Sequence, residues 1–302
     1  MKACRNPRSP LDRGTEENMR IDAHLHVWNR SRARYDWLDG QPPEIDRDVH
    51  LDEVLPHLDR AGVDQVVLVQ SADNADDTRN MLDVARTQDR VAGVVGWLPL
   101  EDPEATRELL DNFVSDPLLV GVRNLIHDRP DPDWAIRPDF NRGLALLATA
   151  ALPYDYVTAD PEALRHIPRL SAQHPDLRLV IDHLGKPPIG RDEEARRHWR
   201  DLLAGAAAHP LVHAKISGLY SSIGADGDWT LDDLRWVIEE AAALFGPERL
   251  MRGGDWPMSL LAGGYDRIAD ALDTILTETF GPHDLPHING ATAARFYGLP
   301  PA

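Results

Sequence analysis

The sequence predicts a single-domain α/β protein with the (β/α)8, or TIM, barrel fold. Eight short apolar runs alternate with eight longer amphipathic segments along the 302 residues, which is the strand and helix count of that barrel. No change in composition marks an internal domain boundary. A doubly wound parallel sheet is the alternative, but the first apolar run is not followed by the Gly-x-Gly-x-x-Gly pattern typical of that fold.

The predicted strands are rich in Val, Ile and Leu, as expected for buried parallel strands. They lie at residues 20–26, 65–70, 91–97, 119–124, 153–158, 177–183, 212–217 and 250–255. The predicted helices lie at residues 51–61, 76–89, 103–114, 138–150, 161–174, 193–208, 231–245 and 265–280. Asp160-Pro161 and Thr230 are typical helix starts, and Phe245-Gly246-Pro247 is a typical helix end.

The composition argues against several classes of function. The formal net charge is −18, whereas nucleic acids and anionic membranes are bound by clustered Lys and Arg. Cys4 is the only cysteine, so the chain can form neither an internal disulfide framework nor a thiolate metal cluster. Residues 1–18 lack the apolar core of a signal peptide, and no apolar run is long enough to span a bilayer. We expect a cytoplasmic protein with a disordered leader at 1–18 and the barrel at 19–298, and a homo-oligomer stays open.

A histidine pair, His24 and His26, ends the first predicted strand. Side chains two residues apart in a strand point to the same side, and active sites of TIM barrels are assembled at the carboxyl ends of the strands. The later strands end in Arg123 and Asn124, in Asp182 and His183, in Lys215 and Ser217, and in Asp255. We therefore expect three histidines, a carboxylate and cations to converge at one face.

Asp255 is the strongest candidate of this group, because a buried carboxylate costs several kcal/mol unless another group pairs with it or uses it. Asp182 and His183 are adjacent and are not expected to face the lumen together. We expect His183 to point inward and Asp182 to support it or to cap a helix. Lys215 is either a catalytic cation or an ion-pair partner, and Arg123 either binds substrate or clamps the structure.

Seven segments together resemble the amidohydrolase superfamily, in the amidohydrolase-2 branch that contains L-fuconolactonase, L-rhamnonolactonase and 2-pyrone-4,6-dicarboxylate lactonase. The segments are Ile21-Asp-Ala-His-Leu-His-Val-Trp28, Tyr35-Asp-Trp-Leu38, Val120-Gly-Val-Arg123, Ile181-Asp-His-Leu-Gly-Lys-Pro187, Lys215-Ile-Ser-Gly-Leu219, Phe245-Gly-Pro-Glu-Arg-Leu250 and Gly253-Gly-Asp-Trp-Pro257. They appear in the family order and span about residues 19–298. The resemblance implies a TIM barrel that hydrolyses a small cyclic ester.

The expected reaction is the opening of a sugar lactone, with Asp255 as the general base on a water molecule. His24, His26 and His183 would surround the carbonyl and stabilise the oxyanion. Arg123 and Lys215 would hold hydroxyl groups or the product carboxylate. The aromatic residues Trp28, Tyr35 and Trp37, in the long connection 28–50, would line the pocket, or else pack the loop.

The residues favour a site without an obligatory metal. Binuclear relatives need a carboxylated lysine on strand four and a histidine on strand five, whereas this chain has Arg123 on the former and no histidine in residues 153–158. One Zn²⁺ could still be held by His24, His26, His183 and Asp255, although the nearby arginine would repel a dication.

Several positions depart from the family pattern, and two other functions stay open. Gly254 replaces the usual serine, Arg252 replaces the usual aromatic residue, and Asn124 follows the strand-four arginine where histidine is frequent. The alternatives are a zinc-dependent decarboxylase or cyclic-amide hydrolase of the same superfamily, and a barrel that only binds a small ligand.

Overall fold

A computed structural model describes residues 19–113, 115–223 and 228–299. Eight parallel strands follow one another in chain order around a single barrel. They are β1 Ile21–Leu25, β2 Gln65–Val69, β3 Val91–Gly96, β4 Leu119–Asn124, β5 Tyr154–Tyr156, β6 Leu179–Ile181, β7 Val212–Ile216 and β8 Leu250–Arg252. The predicted TIM barrel is therefore confirmed, while the leader predicted at 1–18 lies outside the described residues.

Each predicted helix is present, and two of them begin as 3-10 turns, at Leu51–Glu53 and Pro161–Arg165. The helices are α1 Leu55–Ala61, α2 Ala75–Thr87, α3 Pro103–Phe113, α4 Pro138–Thr149, α5 His166–Gln173, α6 Glu193–Ala207, α7 Leu231–Phe245, α8 Tyr265–Thr279 and the unpredicted α9 Thr292–Tyr297. Thr230 caps α7 as expected, since its side chain accepts the backbone N–H of Asp233. None of the described helices combines the length and the apolar character that a membrane span requires.

Two apolar clusters hold the barrel together. The larger one packs the helices against the outer face of the strands. The smaller one combines short side chains of six strands with Phe296, Tyr297 and Leu299 of the C-terminal segment. Side chains from strands all around the barrel can meet only inside it, so α9 closes the amino end of the lumen.

The last strand meets the first through the segment that carries the candidate active-site residues. Leu25 forms an isolated parallel bridge with Trp256. The backbone N–H of Asp255 donates to the carbonyl of His24 at 2.8 Å. A register shift between Asp22 and Leu25 marks an irregularity in β1 at the same point. Barrel closure thereby places Asp255 directly beside the histidine pair.

Candidate active site

A cavity of about 340 Å³ opens at the carboxyl ends of the strands, a size that suits a small ligand. Its charged and imidazole lining comprises His26, Arg123, His127, His183, Lys186 and Asp255. Of the predicted site residues, Trp28 and Trp37 also line it. His24 lies directly behind the wall and is fully buried.

One carboxylate oxygen of Asp255 accepts a hydrogen bond, and the other has no hydrogen-bond partner in the described part of the chain. The Tyr220 hydroxyl donates to Oδ2 at 2.7 Å. Oδ1 is buried without a hydrogen-bond partner among the described residues, and it lies 3.3 Å from His26 Nε2. Burial raises the pKa of Asp255, but the nearby imidazoles of His183, His26 and His24 lower it more, so the net pKa is below its usual value.

A glycine makes this position of Asp255 feasible. Gly218 has φ +55°, and a Cβ there would lie 2.4 Å from His183 Nδ1 and 2.7 Å from Asp255 Oδ2. The Cβ of any larger residue would clash with both the imidazole and the carboxylate. The glycine of the Lys215-Ile-Ser-Gly-Leu219 segment thus lets the backbone pack closely against both His183 and Asp255.

The two histidines of β1 converge, as their spacing predicted. Their ring centroids are 4.9 Å apart, and their Nε2 atoms are 3.2 Å apart. His26 Nδ1 lies 2.7 Å from the Val69 carbonyl, which can only accept a hydrogen bond, so in neutral His26 the lone pair is on Nε2. Burial lowers the pKa of His24 well below its usual value.

His183 lines the cavity, whereas Asp182 is fully buried and does not line it. Asp182 Oδ1 lies 3.5 Å from His24 Nδ1, and the His183 ring is 4.6 Å from the His24 ring. His183 has φ +55°, which breaks the strand alternation and turns its side chain back toward the cavity. Its Nδ1 is 2.9 Å from Ser217 Oγ.

Lys215 does not line the cavity, so the expected contact with substrate is not seen. Its side chain is fully buried, and Nζ lies 2.5 Å from Asp155 Oδ2 and 3.1 Å from Asp182 Oδ1. It also lies 3.2 Å from His24 Nδ1. Of the two alternatives for Lys215, the geometry matches the ion-pair partner, because carboxylates surround the ammonium beneath the site. Burial raises the pKa of Asp155 to about 6, an effect that Lys215 opposes.

Arg123 is both a structural clamp and a cavity residue. Its Nη1 donates to Asp182 Oδ2 at 3.1 Å, and its Nη2 donates to the Gln70 carbonyl. Its Nε–H is buried without a partner among the described residues. The guanidinium is thus fixed at its two terminal nitrogens, while its Nε–H has no partner among the described residues.

The aromatic residues of the long connection 28–50 divide into two groups. Trp28 and Trp37 line the cavity and pack edge to face at 5.3 Å. Tyr35 is buried outside it, and its hydroxyl donates to Asp77 Oδ1 at 2.7 Å. Tyr35 therefore anchors the loop to the start of α2, as loop packing predicts, and does not line the pocket.

Several residues near the site were not among the sequence candidates, and three of them bear directly on its chemistry. Tyr220 holds Asp255, Asp155 holds Lys215, and Lys186 lines the cavity. Lys186 was visible as part of the Gly-Lys-Pro motif after β6. Tyr220 follows β7 and could have been found as a polar residue near a strand end.

The chain is similar to known proteins over nearly its whole length. The amidohydrolase family model matches residues 21–299. The chain belongs to the amidohydrolase family. A curated L-fucono-1,5-lactonase from Burkholderia ambifaria is 34% identical over 288 residues, which cover 93% of this chain and 96% of the relative.

Solved amidohydrolase structures also match over nearly the whole chain. An amidohydrolase from Burkholderia multivorans with bound HEPES gives a TM-score of 0.85 at 32% identity, covering 93% of this chain and 100% of that chain. A structure from the same species with bound zinc gives 0.84 at 31% identity, with 93% and 100% covered.

The departures from the amidohydrolase pattern lie outside the cavity lining. Arg252 pairs with Asp273 at 2.7 Å, on the side of the barrel covered by α8. A Cβ at Gly254 would lie 2.2 Å from the Tyr265 ring, so Tyr265 occupies the space that a serine would need. The Tyr265 hydroxyl donates to Asp22. Asn124 donates to the Leu98 carbonyl.

The amidohydrolase site contains residues that fit one divalent cation. His24 Nε2, His26 Nε2 and Asp255 Oδ1 form a triangle with sides of 3.2, 3.3 and 3.7 Å. Tetrahedral zinc with ligand bonds of about 2.0–2.1 Å separates its ligand atoms by about 3.4 Å. A second possible group joins His24 to His183 and to Asp182, which was not among the four predicted ligands. The predicted ligands His183 and Asp255 therefore belong to different groups.

Proposed function

We propose that this protein is a hydrolase that opens a sugar lactone of the L-fucono-1,5-lactone type. The supporting observation is Asp255 Oδ1, a buried carboxylate oxygen without a hydrogen-bond partner among the described residues. It belongs to a cavity-lining residue of a chain that is 34% identical to a curated L-fucono-1,5-lactonase.

Asp255 orients the attacking water and takes its proton. The carboxylate is ionised at neutral pH because the neighbouring imidazoles lower its pKa. Tyr220 occupies Oδ2 and leaves Oδ1 as the atom that can accept a hydrogen bond from water. A positioned base of this kind contributes about 10²- to 10⁴-fold in rate.

His183 and Arg123 stabilise the negative charge that develops on the carbonyl oxygen. When Ser217 donates its hydroxyl proton to His183 Nδ1, the opposite ring nitrogen carries a proton and is a donor. The unpartnered Nε–H of Arg123 supplies a second donor beside the cavity. Preorganised donors of this kind typically contribute several kcal/mol to transition-state stabilisation.

The aromatic wall binds the apolar face of the sugar ring. Trp28 and Trp37 are fixed by hydrogen bonds from their indole nitrogens to the carbonyls of Arg47 and Ser71, each 2.7 Å long. Rigid aromatic faces suit the C–H surface of a pyranose-type ring. Gln41 of the same connection lines the cavity and offers an amide to the ring hydroxyls.

His24, His26 and Asp255 would hold a divalent cation, which when bound would polarise the lactone carbonyl and favour the hydroxide form of water. The His26 tautomer suits this role, because Nδ1 faces the Val69 carbonyl and leaves the Nε2 lone pair toward the site. Arg123 Nη1, 3.4 Å from His24 Nε2, opposes binding of a cation.

The deciding experiment presents the purified full chain with a panel of 1,4- and 1,5-aldonolactones and follows acid release with a pH indicator. Each assay is run with chelator, without chelator and with added Zn²⁺. We expect turnover of L-fucono-1,5-lactone. Failure to hydrolyse any sugar lactone under all three conditions would reject the proposal and favour a decarboxylase, another cyclic ester or amide, or a binding protein.

A further inference from the structure

We propose that Lys186 is a substrate-contacting residue that binds the oxygen derived from the lactone carbonyl, first as it becomes negative and then as part of the product carboxylate. The inference rests on the proposed lactone hydrolysis and names a contact for that reaction.

The turn after β6 is held in an unusual backbone conformation. Four consecutive residues, His183 to Lys186, have φ values of +55°, +51°, +69° and +63°. Left-handed backbone costs about 1–2 kcal/mol for each residue other than glycine. Gly185 is also required for space, since a Cβ there would lie 2.6 Å from the Leu164 side chain.

This turn places two side chains in the cavity. Its first residue, His183, and its last residue, Lys186, both line the wall that includes Asp255. An ordinary continuation of the strand would send alternate side chains to opposite faces. Strained backbone of this kind clusters at functional sites. Here it directs an imidazole and an ammonium group toward the same cavity.

The ammonium group of Lys186 lacks a paired carboxylate within the described residues. Its Nζ donates to the carbonyl and the hydroxyl of Ser221, at 2.7 and 3.0 Å. An ammonium group has three donors, so one N–H has no partner in the described part of the chain. The two neutral Ser221 oxygens fix its position without cancelling its charge.

The other cations around the site are neutralised by direct contact. Lys215 pairs with Asp155 at 2.5 Å, and Arg123 pairs with Asp182 at 3.1 Å. Arg129, which does not line the cavity, pairs with an aspartate at 2.7 Å. Lys186 is therefore the cavity cation best placed to receive an anionic oxygen from a ligand.

Lactone hydrolysis produces such an oxygen. The water oxygen bonds to the acyl carbon, the bond from that carbon to the ring oxygen breaks, and the ring oxygen takes a proton. The carbonyl oxygen bears negative charge in the tetrahedral intermediate and shares it in the carboxylate of the open-chain hydroxy acid. The free N–H of Lys186 donates to this oxygen in both states.

The experiment compares two open-chain ligands with the same carbon skeleton by calorimetry on the full-length protein. L-fuconate carries the carboxylate, and L-fucitol is its neutral alditol. We expect the wild type to bind L-fuconate more tightly. In Lys186→Met, we expect L-fuconate binding to weaken about 10- to 100-fold, as for the loss of a hydrogen bond to a charged group, with L-fucitol changed less than about twofold.

Two matched variants test whether the effect belongs to this contact. Lys186→Arg keeps the charge and should retain most of the preference for L-fuconate. Arg129→Met removes an equal charge near the site, from a residue that does not line the cavity, and should leave both affinities nearly unchanged. If Lys186→Met does not fold, Ser221→Ala removes one support of the ammonium group and should weaken L-fuconate binding several-fold.

Each outcome has a defined meaning. Equal losses for both ligands in Lys186→Met would overturn the inference in favour of a shape role, and unchanged L-fuconate affinity would overturn it outright. A wild type that binds neither ligand, or shows no preference for L-fuconate, would also overturn it. A Lys186-dependent preference without hydrolysis of any lactone would preserve the contact and reject only the proposed function. Lactone turnover by the wild type, together with an unchanged L-fuconate affinity in Lys186→Met, would support the proposed function and overturn the contact.

Discussion

The carboxyl and amino ends of the barrel differ in what fills the space between the strands. At the carboxyl end, Asp155, Asp182, Asp255, Arg123 and Lys215 are all buried around a cavity. At the amino end, Phe296, Tyr297 and Leu299 pack on short apolar strand residues. One sheet therefore contains a region in which buried charges need partners and a region stabilised by apolar burial.

The difference shows where stability and chemistry are separated in this molecule. At the carboxyl end, Asp182 pairs with both Arg123 and Lys215, and Asp155 pairs with Lys215. Loss of one of these partners leaves a buried charge uncompensated. A truncated side chain at the amino end leaves only a cavity. Mutations at the two ends should therefore have effects of different kinds as well as different sizes.

The largest expected effect is on activity, at Asp255. Asp255→Asn should retain the fold and lower kcat/KM for a hydrolysed lactone by about 10³-fold, because the amide cannot take a proton from water. Steady-state kinetics and a thermal melt measure the two properties. Turnover near that of the wild type would remove Asp255 from the role of base.

The next effect is on stability, at Lys215. Lys215→Met leaves the carboxylates of Asp155 and Asp182 together without the ammonium between them, and should lower the free energy of unfolding by about 3–5 kcal/mol. Arg252→Met is the matched control, since it removes a cation that is also buried but leaves Asp273 paired with Arg20 at 2.8 Å. If the two variants lose equal free energy of unfolding in urea, Lys215 is not specifically required to neutralise the two carboxylates.

The third effect is on the pH dependence of stability, at His213 on β7. Its ring lies 4.7 Å from Phe296 of α9, and burial lowers its pKa to about 4. The unfolded chain binds a proton there at about pH 6.5, so wild-type stability should be lost as the pH falls from about 6.5 to about 4. The contribution of this one residue is about 3 kcal/mol.

His213→Gln removes the titrating group and should flatten that part of the curve. The measurement is the free energy of unfolding in urea at several values of pH, compared between variant and wild type so that other titrating groups cancel. Parallel curves for the two proteins would show that protonation of His213 does not contribute to the pH dependence of stability.

The fold was accessible from the sequence, but the orientation of polar residues at the strand ends was not. Alternating apolar runs and helix caps predicted the eight strands correctly. Helix α9 has only six residues and carries little periodic signal. The positive φ values at His183, Leu184 and Lys186 had no local signal either, because residues other than glycine rarely adopt them.

Site residues could be predicted where burial of a charged group was evident from the sequence, but not where the role depended on an unseen buried partner. Asp255 was identifiable because a carboxylate after a buried strand needs a partner or a use. Sequence alone could not place Lys215 beneath the site rather than in it, since its buried partner Asp155 lies between two tyrosines of β5 and looks like an ordinary strand residue. Tyr35 was visible in its motif, but the loop path that pairs it with Asp77 was not.

The smallest expected effect tests a hydrogen bond that links the two ends. Tyr297 belongs to the amino-end cluster, yet its hydroxyl donates to Asp155 Oδ2 at 2.8 Å, and Asp155 holds Lys215 under His24. Tyr297→Phe should lower the free energy of unfolding by about 1 kcal/mol. It should also raise the pKa of Asp155 above its value of about 6, because the Tyr297 hydrogen bond lowers that pKa.

A higher pKa makes Asp155 neutral over a wider range, so Lys215 loses its charged partner as the pH falls. The acid limb of kcat/KM should therefore move to higher pH in Tyr297→Phe. Phe296→Leu, which trims the same cluster without touching Asp155, should lower stability by a similar amount and leave the pH profile of kcat/KM in place. If both variants keep the wild-type profile, α9 only closes the barrel; if only Tyr297→Phe shifts it, the amino-end closure also positions the charges beneath the active site.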